Sequence, residues 1–352
     1  MKRSWMWVTP SARRSTWYHS RAVASGRLVI EVSPGSSRDR RIIAHRPDTM
    51  RAEKYEINYK NIVDSNFVGD INIPNGCGKR SQLYRHHLHE KPAMPVRPNP
   101  FTRDLNDGRC LLGTWLMSAR HATMLNVLRL SGLDFVKVDM EHTPISLETV
   151  ADMALLARAL DFSLVVRPPD GGRVWVNRLL DAGVWNLYVP QIHNAEMARQ
   201  LVQVARYAPL GNRGTFEPGP QDDYCEPGEP SAQLPALNRQ VHLTVMLESI
   251  EAFENLDEIA SVPGIDALAM GPADLAQELG IYQKPEEQAV IREYQARLQA
   301  SARAHGKQLE IGVWSTQEAR EWRGRGAQIL TYMTDTMIIR ERYQEAVQAF
   351  QA

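Results

Sequence analysis

The chain has 352 residues, enough for one large domain or two ordinary ones. Its 41 basic and 41 acidic side chains cancel, which removes the electrostatic footprint of a nucleic-acid binder. Three widely spaced cysteines, Cys77, Cys110 and Cys225, form neither a zinc pattern nor a disulfide framework, and no run reaches the ~18 apolar residues of a membrane span, so a soluble cytoplasmic protein is expected.

Residues 1–105 are unlike the rest. The first fifty are rich in Arg and Ser, poor in acids, and carry Trp5, Trp7 and Trp17. Low acid with Arg and Ser resembles an organellar transit peptide, but three tryptophans fit that poorly. A start placed too far upstream, with Met50 as a candidate true start, is the other reading. Either way the expectation is an extension with little packed structure. His86-His87-Leu88-His89 lacks a second ligand cluster at a useful spacing, so it reads as a solvated polar segment.

From residue 106 the pattern becomes regular. Leu111–Leu116 is a short apolar run, His121–Ser131 a helix and Phe135–Asp139 a strand. Ser146 caps a helix with Leu147, Val150, Met153, Ala154 and Ala157 on one face. Ser163–Arg167 is a strand closed by Pro168-Pro169, Val174–Ala182 a helix ending at Gly183, and Asn186–Gln191 a strand. Asn194 caps a helix to Tyr207. The stretch Pro209–Arg239, dense in Pro and Gly, reads as a large loop over a functional face. His242–Glu248 is a strand, Glu251–Ser261 a helix, and Ile265–Met270 a strand. A short helix to Leu279 and a long one over Pro285–His305 follow. Leu309–Trp314 and Ile329–Met333 are the last strands, with Thr316–Arg325 and a terminal helix to Phe350 after them.

Eight short, apolar, β-branched strands alternate with helices over about 240 residues, the measure of a (β/α)8 barrel over 106–352. An open doubly wound sheet is the rival, but Gly113-Thr114-Trp115 is not a glycine-rich phosphate turn. In a barrel, active residues stand at strand C-termini. Asp139, Glu141 and His142 follow the second strand, Arg167 the third, Gln191 and His193 the fourth, Glu248 the fifth and Asp274 the sixth. Five consecutive polar strand ends on one rim are hard to explain by solvation alone.

Glu248 and Asp274 lie one βα unit apart and would arrive side by side. Two crowded carboxylates without thiolates favour a hard divalent cation, Mg²⁺ or Mn²⁺, between them. Each carboxylate would alternatively cap the helix that follows it. Arg167 is suited to clamp a carboxylate or enolate oxygen, or to pair with a rim acid. His142, beside two acids, suits proton transfer near neutrality.

The ordered set Asp139-Met140-Glu141-His142, Val166-Arg167-Pro168, Leu180-Asp181-Ala182-Gly183, Val189-Pro190-Gln191, Arg213-Gly214, Leu247-Glu248-Ser249 and Met270-Gly271-Pro272-Ala273-Asp274-Leu275 resembles the HpcH/HpaI aldolases over about 110–350. These are class II, metal- and pyruvate-dependent enzymes of the phosphoenolpyruvate-binding barrel superfamily. The resemblance implies a (β/α)8 TIM barrel that cleaves a 4-hydroxy-2-oxo acid to pyruvate and an aldehyde. It implies a divalent cation (Mg²⁺, Mn²⁺ or Co²⁺) on Glu248 and Asp274. Arg167 would hold the pyruvate or enolate oxygen, with Gln191 also at the substrate and the backbone of Pro272, Ala273 and Asp274 at its carboxylate. His142 would be the base, oriented by Asp181, with Asp139 and Glu141 supporting the metal's waters. The family is typically hexameric, built from trimers with an exchanged C-terminal helix.

Three departures stand out. Met246 occupies a position where the family usually has Gln. Thr215-Phe216-Glu217-Pro218 replaces small residues, which predicts a different acceptor side. Lys137 shares strand parity with Asp139 where the family is apolar, as a Schiff-base lysine or, more simply, as the partner of a neighbouring acid. Two other functions remain: a condensing enzyme resembling the citrate synthases of siderophore pathways, and a barrel without catalysis acting as a scaffold. The presence of His142, Arg167, Glu248 and Asp274 speaks against the scaffold.

Overall fold

The computed structural model describes residues 97–215, 218–224 and 230–352, with the backbone of three strands nearer the N-terminus. The chain divides into two compact units, residues 1–90 and 91–352. In the first, Val29–Val32, Arg41–His45 and Tyr55–Asn58 pair antiparallel in that order. The rest of that unit, including the tryptophans and the histidine block, lies outside the described residues.

The second unit is a closed parallel barrel of eight strands with helices between them. Its strands are β1 (Leu111–Leu116), β2 (Phe135–Asp139), β3 (Ser163–Arg167), β4 (Asn186–Val189), β5 (His242–Leu247), β6 (Ala267–Met270), β7 (Gln308–Val313) and β8 (Ile329–Thr334). β8 pairs with β1 and closes the ring. Alternation divides each strand between two cores. Val136, Val138, Leu164, Val166, Leu187, Val189, Leu243, Val245 and Leu247 face the helices. Phe135, Val165, Tyr188, Met246, Ala267, Ala269 and Ile329 fill the interior.

The helices keep to the expected caps. Ser146 accepts from the Thr149 amide at 3.3 Å and Asn194 from that of Met197 at 3.1 Å. One helix was not foreseen. Pro100–Asn106, in the proline-rich approach to β1, starts on Asn99 and puts Phe101 and Leu105 into the barrel's N-terminal mouth. Phe101 stands edge-on to Phe135 at 5.4 Å and to His242 at 5.0 Å, and its burial contributes about 3 kcal/mol. Asn99 holds the plug in register through Asn186 and the Gln240 carbonyl, at 2.6 and 2.7 Å.

The long segment Pro209–Arg239 corrects an expectation. It starts from the helix Ala195–Ala205 and returns to the first residue of β5, so both its ends are at the N-terminal end of the barrel, away from the catalytic rim. It also holds a helix, Pro230–Gln240. Arg206 fastens it by donating to the Asn238 and Val241 carbonyls, and the Tyr207 amide meets Asn238 Oδ1 at 2.8 Å.

Lys137 is 1 % exposed and ion-paired with Glu310 of β7, which also accepts from the Thr331 hydroxyl at 3.0 Å. Its Nζ lies 3.6 Å from the Tyr188 ring centroid and 4.7 Å from that of Trp115. Burial lowers the pKa of this ammonium well below the ordinary lysine range, and Arg167 adds to the effect. Enclosed in this way, Lys137 is the partner of a neighbouring acid rather than a lysine open to a substrate carbonyl. At the closing seam, the buried Asp335 begins the terminal helix Asp335–Gln351. Its carboxylate accepts from the amides of Met117, Ser118 and Ala119 just after β1, at 2.9, 3.1 and 2.9 Å.

Candidate active site

Parallel register places Asp139 directly opposite Arg167 at the ends of β2 and β3. The guanidinium grips the carboxylate with both prongs, Nε to Oδ1 at 2.8 Å and Nη2 to Oδ2 at 2.7 Å. Asp139 Oδ1 also accepts from the Glu141 and His142 amides at 3.0 and 3.4 Å, which shapes the turn after β2. Burial works against the Asp139 carboxylate, but the Arg167 hydrogen bonds and charge outweigh it and hold its pKa below the ordinary value. Asp139 is therefore committed to Arg167.

Glu141 lies beyond this pair, 3.3 Å from Arg167 Nη1 and 3.5 Å from His142 Nε2. Its Oε2 is buried without a hydrogen-bond partner. Burial raises its pKa; Asp139 and Asp274 add to this, and Arg167 and His142 oppose it. The His142 side chain is 58 % exposed and open to the mouth of the barrel.

The other side of the rim is built differently. Glu248 follows β5 and is 4 % exposed. Its Oε1 accepts from the Gln191 amide at 2.7 Å, and Gln191 has a φ of 59°, a conformation few non-glycine residues adopt. Glu248 Oε2 is buried and unpartnered. Burial pushes this carboxyl up to about 7; Glu141 and Asp274 raise it further, against the Gln191 amide and Arg167. Asp274 stands exposed in the first turn of the helix Pro272–Glu278, behind Pro272 and Ala273. Gly271 makes this closeness possible, because a Cβ there would run into the Glu248 carboxylate. Gln191, His193, Glu248, Ser249, Asp274 and Gln277 line an open cavity of about 460 Å³.

Helix capping does not account for Glu248. Ser249 is the cap of the helix Ile250–Glu254 and accepts from the Ala252 amide at 3.1 Å. No side-chain cap bond starts the helix carrying Asp274. A buried, unpartnered oxygen beside a second carboxylate, with no thiolate, fits a hard divalent cation that takes oxygen ligands. Among the described residues no three His, Cys, Asp or Glu side chains converge, so the remaining ligands would be water or substrate.

Asp181 is not with His142 in this chain. It ends the helix Arg173–Asp181, which runs from the rim back to the N-terminal end of the barrel, and there accepts from Arg213 Nη2 at 2.6 Å. Within one chain Glu141, not Asp181, is the carboxylate next to His142. Sequence reasoning also passed over Tyr188 and Glu310. An aromatic and an acid on inward strand positions were the available signal, and their sequence separation from Lys137 concealed the contact.

The family model described as HpcH/HpaI aldolase/citrate lyase matches residues 111–341. A 2-keto-3-deoxy-L-rhamnonate aldolase of Escherichia coli strain K12 is 31 % identical over 257 residues, covering 72 % of this chain and 94 % of the relative. Among solved structures, an HpcH/HpaI aldolase from Desulfitobacterium hafniense DCB-2 superposes with a TM-score of 0.66 at 27 % identity, covering 71 % of this chain and 95 % of that one. The citrate synthase SbnG gives 0.63 at 25 % identity, covering 71 % and 96 %. The matched region contains the barrel's eight strands and every rim residue described above, and on that ground the chain belongs to the HpcH/HpaI aldolase/citrate lyase family.

Proposed function

We propose that this chain is a divalent-metal-dependent carbon–carbon lyase that cleaves a 4-hydroxy-2-oxo acid to pyruvate and an aldehyde. The observation that carries this reading is the buried, unpartnered Glu248 oxygen beside Asp274, on the same rim as Arg167 and His142. Glu248 and Asp274 would hold Mg²⁺, Mn²⁺ or Co²⁺. When bound, the cation supplies Lewis-acid polarisation of the 2-oxo acid.

The residues of the chain then divide the work. The backbone at Pro272, Ala273 and Asp274 and the Gln191 side chain orient the oxo-acid end. The His142 imidazole takes the proton of the C4 hydroxyl, and Glu141, 3.5 Å from Nε2, stabilises the imidazolium. The C3–C4 bond breaks and releases the aldehyde, and its electron pair moves to the C2 oxygen. Arg167, fixed by Asp139, faces that oxygen with a charge that needs no reorganisation. Protonation of C3 completes pyruvate.

The chain would work as a homo-oligomer, the trimer or hexamer that the family resemblance implies, and the terminal helix Asp335–Gln351 offers apolar surface for self-association. Ile338, Ile339, Tyr343, Val347 and Phe350 are all exposed on it. No helix among the described residues is long and apolar enough to cross a membrane, which is consistent with a cytoplasmic enzyme of small-molecule metabolism.

The deciding experiment is exchange of the pyruvate methyl protons in deuterated water, followed by NMR. It does not depend on the aldehyde's identity. Exchange is expected with Mg²⁺, Mn²⁺ or Co²⁺, loss on chelation, and recovery on adding the cation back. Full exchange in chelator would remove the metal from the reading, and no exchange with any of the three would sink the lyase. The resemblance to a citrate synthase keeps the condensing direction in view. The same assay with added acceptors would report condensation as consumption of pyruvate.

A further inference from the structure

A second layer of inward side chains lies below the rim. There Trp115, Lys137, Tyr188 and Met246 point inward from β1, β2, β4 and β5. Tyr188 is 5 % exposed and its ring is held from two directions. Lys137 Nζ lies 3.6 Å from its centroid, and Trp115 meets it edge-on at 5.6 Å. Lys137 is in turn fixed by Glu310, and Glu310 by Thr331. A ring held in this way gives its hydroxyl one position.

The same Trp115 ring carries the Arg167 guanidinium 4.7 Å from its centroid, so the Tyr188 ring lies one side chain away from the rim arginine. The charges acting on the hydroxyl are those of Arg167, Glu248 and Glu141. Burial raises its pKa above the ordinary tyrosine value, so it remains a protonated donor. Among the described residues none accepts a hydrogen bond from it. Met246 on the neighbouring strand packs its terminal methyl towards Gly271 and has nothing to donate. This layer therefore offers a neutral O–H on a ring fixed from two directions, beneath the rim where an anionic oxygen would develop.

We infer that Tyr188 contacts the substrate, its hydroxyl donating to the oxygen that gains charge as the 2-oxo acid becomes an enolate, with Lys137 and Glu310 as positioning residues acting through its ring. This rests on the lyase reading of the same site.

Tyr188→Phe keeps the ring and removes the donor. In the full-length chain with Mg²⁺, pyruvate proton exchange should fall about 10- to 100-fold, and calorimetric affinity for oxalate, a planar enolate mimic, should fall by a similar factor. The thermal midpoint should hold. Lys137→Met with Glu310→Gln should also slow exchange, and Tyr188→Phe added to that pair should cost less than it does alone. A Tyr188→Phe enzyme within twofold of wild type in both exchange and oxalate binding overturns the inference and leaves the lyase reading standing. If the variant does not fold, the wild-type oxalate complex decides. A Tyr188 oxygen within about 3.2 Å of an oxalate oxygen supports the contact, and separation beyond hydrogen-bond reach overturns it. Wild type that neither exchanges pyruvate protons nor binds oxalate removes both claims together.

Discussion

The two sides of the rim use the same residue types to opposite ends. On β2 and β3, Asp139 and Arg167 neutralise one another through two short hydrogen bonds, and Glu141 and His142 gather around them. On β5 and β6, Glu248 and Asp274 face a cavity that no lysine or arginine lines. On the first side the carboxylates have a cation beside them: Glu141 Oε2, although without a hydrogen bond, lies 3.3 Å from Arg167 Nη1. The second has a buried oxygen without a partner and a carboxyl raised to about 7. The difference teaches that burial of a charge is not itself the mark of a ligand site; the mark is burial without compensation.

The largest expected effect is on the uncompensated side. Glu248→Gln removes a ligand and should lower pyruvate proton exchange by about 10³-fold at saturating Mg²⁺. Exchange within tenfold of wild type would mean the two sides do not differ as described. On the compensated side, Asp139→Asn removes the two-pronged partner of the buried Arg167 guanidinium and leaves it only Glu141, 3.3 Å from Nη1. Stability in urea should fall by about 3–5 kcal/mol, with or without metal. An unchanged midpoint would show that Arg167 finds another partner.

The smallest effect is in pH dependence. The folded metal-free chain holds the Glu248 proton from the ordinary 4.5 up to about 7, so the folded state binds more protons than the unfolded state in that window. Stability from this group is fully present below 4.5 and is lost as pH rises through about 7, a fall of about 3 kcal/mol. Glu248→Gln should flatten that slope and make the metal-free chain more stable than wild type above about pH 7, although inactive. A parallel slope in the variant would place the titration elsewhere.

Much of this was legible in the sequence because strand ends are local. Asp139, Arg167 and Glu248 each close a run whose periodicity is plain, Asp274 opens the helix after the sixth, and a parallel barrel carries all such ends to one face. What was not legible depends on long-range pairing. Lys137 and Glu310 are 173 positions apart, and only the ring closure brings β2 and β7 residues together inside the barrel. Asp181 carried a resemblance but no geometry; its helix direction sends it to Arg213 and away from the rim. The helix Pro100–Asn106 was hidden by the prolines before it, although Pro100 occupies the first helical position, where proline needs no donor. In Pro209–Arg239 the richness in proline suggested a large loop over the functional face, and Pro235 within the helix obscured the periodicity.

The grip of Asp335 on Met117, Ser118 and Ala119 has a consequence for the order of assembly. The loop after β1 is made early, but the carboxylate that satisfies its three amides lies 216 to 218 positions later. Until that residue leaves the ribosome, the β1 loop cannot take its final shape and the seam between β8 and β1 stays open. A barrel without that seam would be a sheet with two free edges, open to pairing with other chains. Closure of the ring and ordering of the loop at the mouth would thus be one late event. A ribosome-arrested chain ending before Asp335 should show strong amide exchange at 117–119 while the helices of the first half are already protected.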